Sequence, residues 1–312
     1  MKNILLIGGT GFIGKNLIDF LLATNTYRIH LLLRRKSNSH KKIVADPRVK
    51  IFEADLDERD ILTTILKEQN IHTVVHLSSA LKPGSGAELF YNECKQIITP
   101  TIVLLAICSE LDILFVYFSS GGAIYGSDLN RPHCENDALK PISYYGLSKY
   151  FLEEAIRFEH RSSGLKYLIL RPSNPFGPGQ SANGTQGLIA IALEKIINQE
   201  KISIWGDGGA IRDYLYIDDL CMYVQKLLAL GSCNETYNLG SGYGVSVKEI
   251  IETISEVLDI QPEIEFTDAR SFDVRSSILD ISKIIRRVGN VNVSNLEGSI
   301  LHFANIISNK HE

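Results

Sequence analysis

"IGGTGFIGKNLIDFLL" (7–22) is the stretch on which the reading of the fold turns. Gly8, Gly11 and Gly14 stand between an apolar run ending at Ile7 and a segment whose apolar residues recur with a helical period. A strand that turns sharply into a helix lets backbone N–H groups approach an anion, and the helix N-terminus adds positive partial charge. Glycines spaced this way carry weight only inside a strand–helix–strand context, so the neighbouring segments decide the matter.

That context is present. "NILLIG" (3–8), "IHLLL" (29–33), "VKIFEA" (49–54), "TVVHLSS" (73–79), "ILFVYFSS" (113–120) and "KYLILR" (166–171) read as strands, with helix-length segments between most of them. Near-continuous apolar strands separated by helices imply a parallel sheet covered on both faces. The expected class is α/β, a Rossmann-type doubly wound parallel sheet over residues 1–171, followed by a smaller mixed α/β lobe over 172–312, with the chain free to cross between them. In that second part "GLIAIALEKIINQ" (187–199), "DDLCMYVQKLLAL" (218–230) and "SVKEIIETISEVL" (246–258) read as helices, the last with a serine cap and a glutamate three residues on.

Composition narrows the function classes. The 312 residues are 45% hydrophobic with a formal net charge of −4, which leaves no basic footprint for nucleic acid. The apolar run at the N-terminus is too short for a signal-peptide core or a membrane span, so a cytoplasmic protein without membrane attachment is expected. The five cysteines are odd in number and lack zinc-type spacing; reduced thiols and no metal are expected.

The end of the second strand carries the cofactor reading. In "LLLRRKSN" (31–38), Leu33 is followed by Arg34 and Arg35, where a carboxylate would bind the free 2'-hydroxyl of NAD. A guanidinium instead favours the 2'-phosphate, so NADP(H) is preferred over NAD(H), which stays open. The rival reading makes both arginines solvated loop charges. Further along, Tyr145 and Lys149 in "YYGLSK" (144–149) lie one helical turn apart, where an ammonium can lower the phenol's pKa and hold a ribose hydroxyl. A tyrosine so placed can pass a proton to or from a sugar oxygen while hydride moves.

With these motifs the sequence resembles the extended short-chain dehydrogenase/reductase family, in its nucleotide-sugar epimerase, dehydratase and reductase branch. The resemblance runs through "GGTGFIG", "ADL" (54–56), "HLSSA" (76–80), "SSGGAIYG", "YYGLSK", "RPSNPFGPGQ" (171–180), "IWGDGGAIRDYLYIDDL" and "YNLGSG". It implies a nucleotide-sugar substrate and a homodimer through helices near the catalytic tyrosine. It also implies that Gly8, Gly11, Phe12, Ile13 and Gly14 cradle the pyrophosphate, that Asp55 and Leu56 meet the adenine, and that Leu77, Ser78 and Ser79 line the inner ribose. Asn174, Arg212 and Arg270 resemble residues that grip the substrate diphosphate; ion pairing of Arg212 with Asp213, Asp218 or Asp219 is the rival reading.

Two departures from the family pattern stand out. Counting four residues back from Tyr125, where a serine or threonine is usual, lands on Gly121, so the hydroxyl is assigned to Ser120 with Ser119 in reserve. Ile97 replaces a usual asparagine, which leaves one backbone-supporting contact unaccounted for. Gly122 and Ala123 stand where 4,6-dehydratases carry an acid pair, and elimination of water needs such a pair. Two reactions at C4 of a nucleotide-linked hexose remain: reduction of a 4-keto-6-deoxy sugar such as dTDP-4-dehydro-6-deoxyglucose, favoured by Arg34, and 4-epimerisation with tightly bound NAD. A catalytically silent NADP-binding regulator is a remote third. The branch implies a role in O-antigen or lipopolysaccharide synthesis; the base and the sugar stereochemistry are not legible.

Overall fold

The computed structural model describes residues 1–35, 46–126, 131–182, 186–268, 274–289 and 293–309. Its first half alternates β1 (Lys2–Ile7), α1 (Phe12–Ala23), β2 (Tyr27–Leu33), β3 (Val49–Glu53), α2 (Arg59–Glu68), β4 (Thr73–His76), α3 (Ala87–Glu93), α4 (Thr99–Glu110), β5 (Leu114–Phe118), α5 (Tyr144–Ser163) and β6 (Tyr167–Pro172). A π-helical turn, Cys94–Ile98, joins α3 to α4. Then follow β7 (Asn174–Phe176), α6 (Leu188–Ile197), β8 (Ile202–Trp205), β9 (Ile211–Arg212), β10 (Tyr214–Tyr216), α7 (Ile217–Ala229), β11 (Glu235–Leu239), β12 (Val245–Ser246), α8 (Val247–Leu258), β13 (Ile264–Thr267), β14 (Ser276–Ser277), α9 (Ser282–Val288) and α10 (Leu296–Ser308).

Seven parallel strands form the main sheet in the order β11-β6-β5-β4-β1-β2-β3. The order reverses at β1 and β4, the switch point at which open α/β sheets bind ligands. Strand alternation explains why both faces are covered: Ile4 and Leu6 enter one core, Leu5 and Ile7 the other. Val116 and Phe118 against Phe115 and Tyr117, and Leu168 and Leu170 against Ile169, repeat the pattern. The first core includes α1, α6, α7, α8 and α10 residues; the second is closed by α2, α4 and α5.

Some boundaries differ from the sequence reading. The strand read over 73–79 stops at His76, where Leu77–Ser79 begin to pass the glycine turn, and β5 stops at Phe118. β3 is the sheet edge and largely exposed rather than a buried strand. After residue 172 the chain returns to the main sheet, because β11 pairs with β6 and α7 packs on α1. The second-half helices form near their expected limits, and α8 carries the capping box: Ser246 Oγ accepts from the Glu249 amide and the Glu249 carboxylate from the Ser246 amide. The five cysteines are free thiols. No helix among the described residues is long and apolar enough to cross a membrane, and no cluster of metal-ligating side chains occurs among them.

Candidate active site

The glycine turn is built by close backbone approach. Gly8 has φ +84°, and a Cβ there would lie 2.9 Å from the Ser78 amide nitrogen. At Gly14 a Cβ would lie 2.6 Å from Cα of Gly9, so the helix packs directly on the turn that precedes it. Gly11 is the extended N-cap of α1 and no side chain caps the first turn, where Phe12 and Ile13 sit half-buried. An uncapped helix N-terminus at the sheet's switch point fits a pyrophosphate. Asn16 ties this helix to the "PFGPG" loop, donating to the carbonyls of Phe12 and Pro178, both at 2.9 Å.

The helix that carries Tyr145 starts beside this turn's neighbour strands. Ser143 Oγ caps α5 by accepting from the Gly146 amide, and Gly164 in the left-handed region ends it. Tyr145 is half-buried and its phenol is hydrogen-bonded by Ser120, which is 8% exposed at the end of β5. Burial raises the phenol above its ordinary range, with Ser120 pulling it down and Glu93 adding to the rise. Lys149 does not take the part expected of it toward the phenol. Its Nζ donates to the Phe118 carbonyl at 2.9 Å and lies 5.7 Å from the Tyr145 ring centroid. The ammonium is thus aimed at the strand end, and the Ser120 hydroxyl opposes the effect of burial on the phenol. Burial pushes Lys149 down to about 8, while the carboxylates of Glu93 and Glu153 pull it up.

Gly121 has a packing reason. A Cβ at that position would lie 2.5 Å from Leu279 Cδ1 and 3.0 Å from the Arg171 carbonyl oxygen, so a serine or threonine would have to displace Leu279. Ser120 faces Tyr145, and Ser119, the reserve, turns toward Glu153. Gly122 is open toward Asn174, whose Oδ1 lies 3.7 Å from an added Cβ; together with Ala123 it offers no acid or base.

The sequence reading missed Glu93. Only 1% exposed, its carboxylate accepts from Ser79 Oγ (2.9 Å), the Ala80 amide (2.8 Å) and Ser148 Oγ (3.4 Å). It therefore joins the segment after β4 to α5. Ile97 enters the second core instead of supporting backbone, so polar support for this strand end comes from the acid just before the π-helical turn. Glu93 lies inside a helix that runs on through the π-helical turn into α4, so no local feature of the sequence marks it. Beneath it His76, fully buried, is pushed down to about 3 by burial and by Lys149.

On the adenosine side the two arginines part company. Arg34 is exposed and makes no ion pair among the described residues, whereas Arg35 is held by Glu58. Asp55 lies beside them with its amide donating to Glu58 Oε2 at 2.8 Å; Leu56, 7% exposed, points into the second core, so only its backbone faces outward. Leu77 packs against the first core, and Ser78 lies against Gly8.

On the substrate side Asn174 Nδ2 donates to the Asp213 carbonyl at 3.0 Å, which places it next to Arg212. Arg212 Nη1 donates to the Ile211 carbonyl at 2.9 Å. Two of the three acids weighed against it have partners of their own: Asp213 accepts from the Ser241 amide and hydroxyl, both at 2.8 Å, and Asp219 from Ser294. Arg270 lies outside the described residues.

A doubly wound sheet with a glycine turn at its switch point, and with Ser120 at the end of β5 beside Tyr145 and Lys149 of α5, has the make-up of a dinucleotide-dependent oxidoreductase scaffold. The sequence profile of the NAD dependent epimerase/dehydratase family matches residues 4–240, and the chain belongs to that family. It is 32% identical to a putative UDP-glucose 4-epimerase of Methanocaldococcus jannaschii, over 90% of each chain. It is also 32% identical to a dTDP-4-dehydro-6-deoxyglucose reductase of Escherichia coli, over 92% of each chain. Among solved structures it resembles the UDP-glucose 4-epimerase of Thermotoga maritima, crystallised with UDP-glucose, at a TM-score of 0.91 and 30% identity, covering 99% of this chain and all of that one.

Proposed function

We propose that this enzyme moves hydride at C4 of a nucleotide-linked hexose, and that it does so as a reductase of a 4-keto-6-deoxyhexose. One observation carries the reading: the Tyr145 phenol, hydrogen-bonded by Ser120 and one helical turn from Lys149, opens at the same sheet edge as the uncapped glycine turn. A bound nicotinamide supplies the hydride. Ser120 and Tyr145 hold the sugar oxygen at C4, and Tyr145 gives that oxygen its proton; Lys149 binds the nicotinamide ribose. Asn174, Arg212 and Arg270 hold the substrate diphosphate. Gly122 and Ala123 leave no acid–base pair for elimination, which argues against a dehydratase.

The preference for reduction rests on Arg34, which is free to meet a 2'-phosphate and so to draw on NADPH. A second reading, a 4-epimerase that keeps NAD, gains from the Arg35–Glu58 pair, which removes the other arginine. Absorbance at 340 nm separates the two. With dTDP-4-dehydro-6-deoxyglucose in excess, stoichiometric oxidation that is faster with NADPH than with NADH, and slowed by Arg34→Asp, is the expected result. No oxidation, with NAD recovered from denatured protein and interconversion of UDP-hexoses, gives the epimerase instead. By the same resemblance we place the reaction in the cytoplasm, in surface polysaccharide synthesis.

We also propose a homodimer through α4 and α5. Ile102 and Val103 on α4, and Leu147, Phe151 and Phe158 on α5, are exposed apolar residues. α4 packs on α5, so these side chains belong to one helix pair, and such a patch marks an interface. Phe151→Glu is expected to convert a dimer of the 34.8 kDa chain into a monomer by light scattering. A monomeric wild type, or a variant that stays dimeric, contradicts this interface.

A further inference from the structure

The pairing of Arg35 has a reach beyond that ion pair. Strand register brings the carboxyl ends of β1, β2 and β3 side by side: Ile7 pairs with Leu32, Leu33 with Glu53, and the Ala54 amide donates to the Leu33 carbonyl at 3.0 Å. Arg34, Arg35, Asp55 and Glu58 therefore share the corner next to the glycine turn, where the adenosine end of a dinucleotide lies when its pyrophosphate sits on α1.

Within that corner Glu58 is fixed from two sides. Oε2 accepts the Asp55 amide at 2.8 Å, and the carboxylate grips Arg35 in a fork, Nε at 3.0 and 3.2 Å and Nη2 at 2.8 Å. The fork is the geometry a guanidinium would otherwise offer a phosphate. Glu53 and Asp55 add further negative potential at Arg35.

From this geometry we infer that Glu58 is the residue that sets the choice between NAD and NADP, by occupying Arg35 and by placing a carboxylate where a 2'-phosphate would come to rest. The inference rests on the dinucleotide reading proposed above. Among the described residues Arg34 alone then serves the phosphate, and a dianion entering the corner meets its guanidinium and a competing carboxylate. The consequence is an adenosine pocket that accepts both cofactors, with its preference held down by a single acid. Glutamine at position 58 keeps the length and the oxygen that accepts the Asp55 amide, yet lacks the charge, so Arg35 is released toward the ligand.

The test needs no turnover. Wild type, Glu58→Gln, Arg34→Gln, Arg35→Gln and the Glu58→Gln/Arg35→Gln pair are each titrated at equilibrium with NADH and with NADPH, binding is read from the fluorescence of the reduced nicotinamide, and the NADP-to-NAD ratio of affinities is compared. Glu58→Gln is expected to raise the NADP-to-NAD ratio about tenfold, as removal of one carboxylate beside a phosphate dianion requires. Arg35→Gln alone is expected to leave the ratio within about twofold of wild type, since Arg35 is already occupied, but to erase most of the gain when combined with Glu58→Gln. Arg34→Gln is expected to lower the ratio. An unmoved ratio in Glu58→Gln, with dinucleotide still bound, overturns the inference while leaving the cofactor reading intact. So does a fall in Arg35→Gln as large as that in Arg34→Gln. Wild type that binds neither dinucleotide at equilibrium removes the cofactor reading itself, and the inference with it.

Discussion

Tyr145→Phe is expected to lower turnover by about a thousandfold, the usual loss when a general acid is removed, while dinucleotide retention weakens by no more than about fivefold, the worth of one hydrogen bond. The phenylalanine ring keeps the packing at the start of α5; only the hydroxyl that meets Ser120 is lost. The same chemistry predicts a pH profile. Lys149 is pushed by burial to about 8, and Glu93 and Glu153 oppose that fall. Below this value the ammonium is present to hold the nicotinamide ribose; as pH rises through it the charge is lost and the cofactor is held less well, so reduction slows on the alkaline side of about 8. Stopped-flow absorbance with a 4-keto-6-deoxy sugar reads both effects. Turnover that survives in Tyr145→Phe contradicts the role given to the phenol.

How far this site could be read beforehand follows from the range of the interactions. The glycine turn, the α8 capping box and the Tyr145–Lys149 spacing are local, and local spacing is what a sequence displays. Assignment of the hydroxyl to Ser120 was open in the sequence because its reason lies in Leu279, remote in the chain, which fills the space beside Gly121. Arg34 and Arg35 look equivalent as neighbours; only the turn that brings Glu58 back to the end of β2 separates them. Glu93 is the same kind of case, since its partners Ser79, Ala80 and Ser148 come from two other elements. The return of β11 to the sheet beside β6 depends on topology, and a strand of five residues does not announce its neighbour.

A second large effect is expected away from the chemistry, at Glu153. This acid on α5 is fully buried, and it accepts from Arg171 Nη2 at 2.6 Å and Nε at 2.9 Å on β6, and from Arg157 Nη2 at 2.7 Å. Arg171 also donates to the Tyr125 hydroxyl at 2.7 Å, which in turn donates to Asn238 Oδ1 at 2.6 Å on β11. One ion pair thus ties α5 to β6, and the Arg171–Tyr125 bond extends the link to the "SSGGAIYG" segment that follows β5. Burial raises the Glu153 pKa, but the hydrogen bonds and fields of Arg171 and Arg157 outweigh it, so the carboxyl titrates below its ordinary range. Glu153→Gln leaves the Arg171 guanidinium buried without its counter-charge, at a cost of about 3 kcal/mol in unfolding free energy. Because the folded-state pKa is depressed, the wild-type advantage is complete above the unfolded glutamate value of about 4.3 and disappears as pH falls through the lower folded value. Urea midpoints for the two proteins should therefore differ most near neutrality and converge in acid. Replacing both partners by methionine should restore much of the loss, since a well-packed apolar pair carries no desolvation penalty; a double variant as unstable as Glu153→Gln would mean that the network's hydrogen bonds to Tyr125 and Asn238, rather than its charge balance, hold the helix in place.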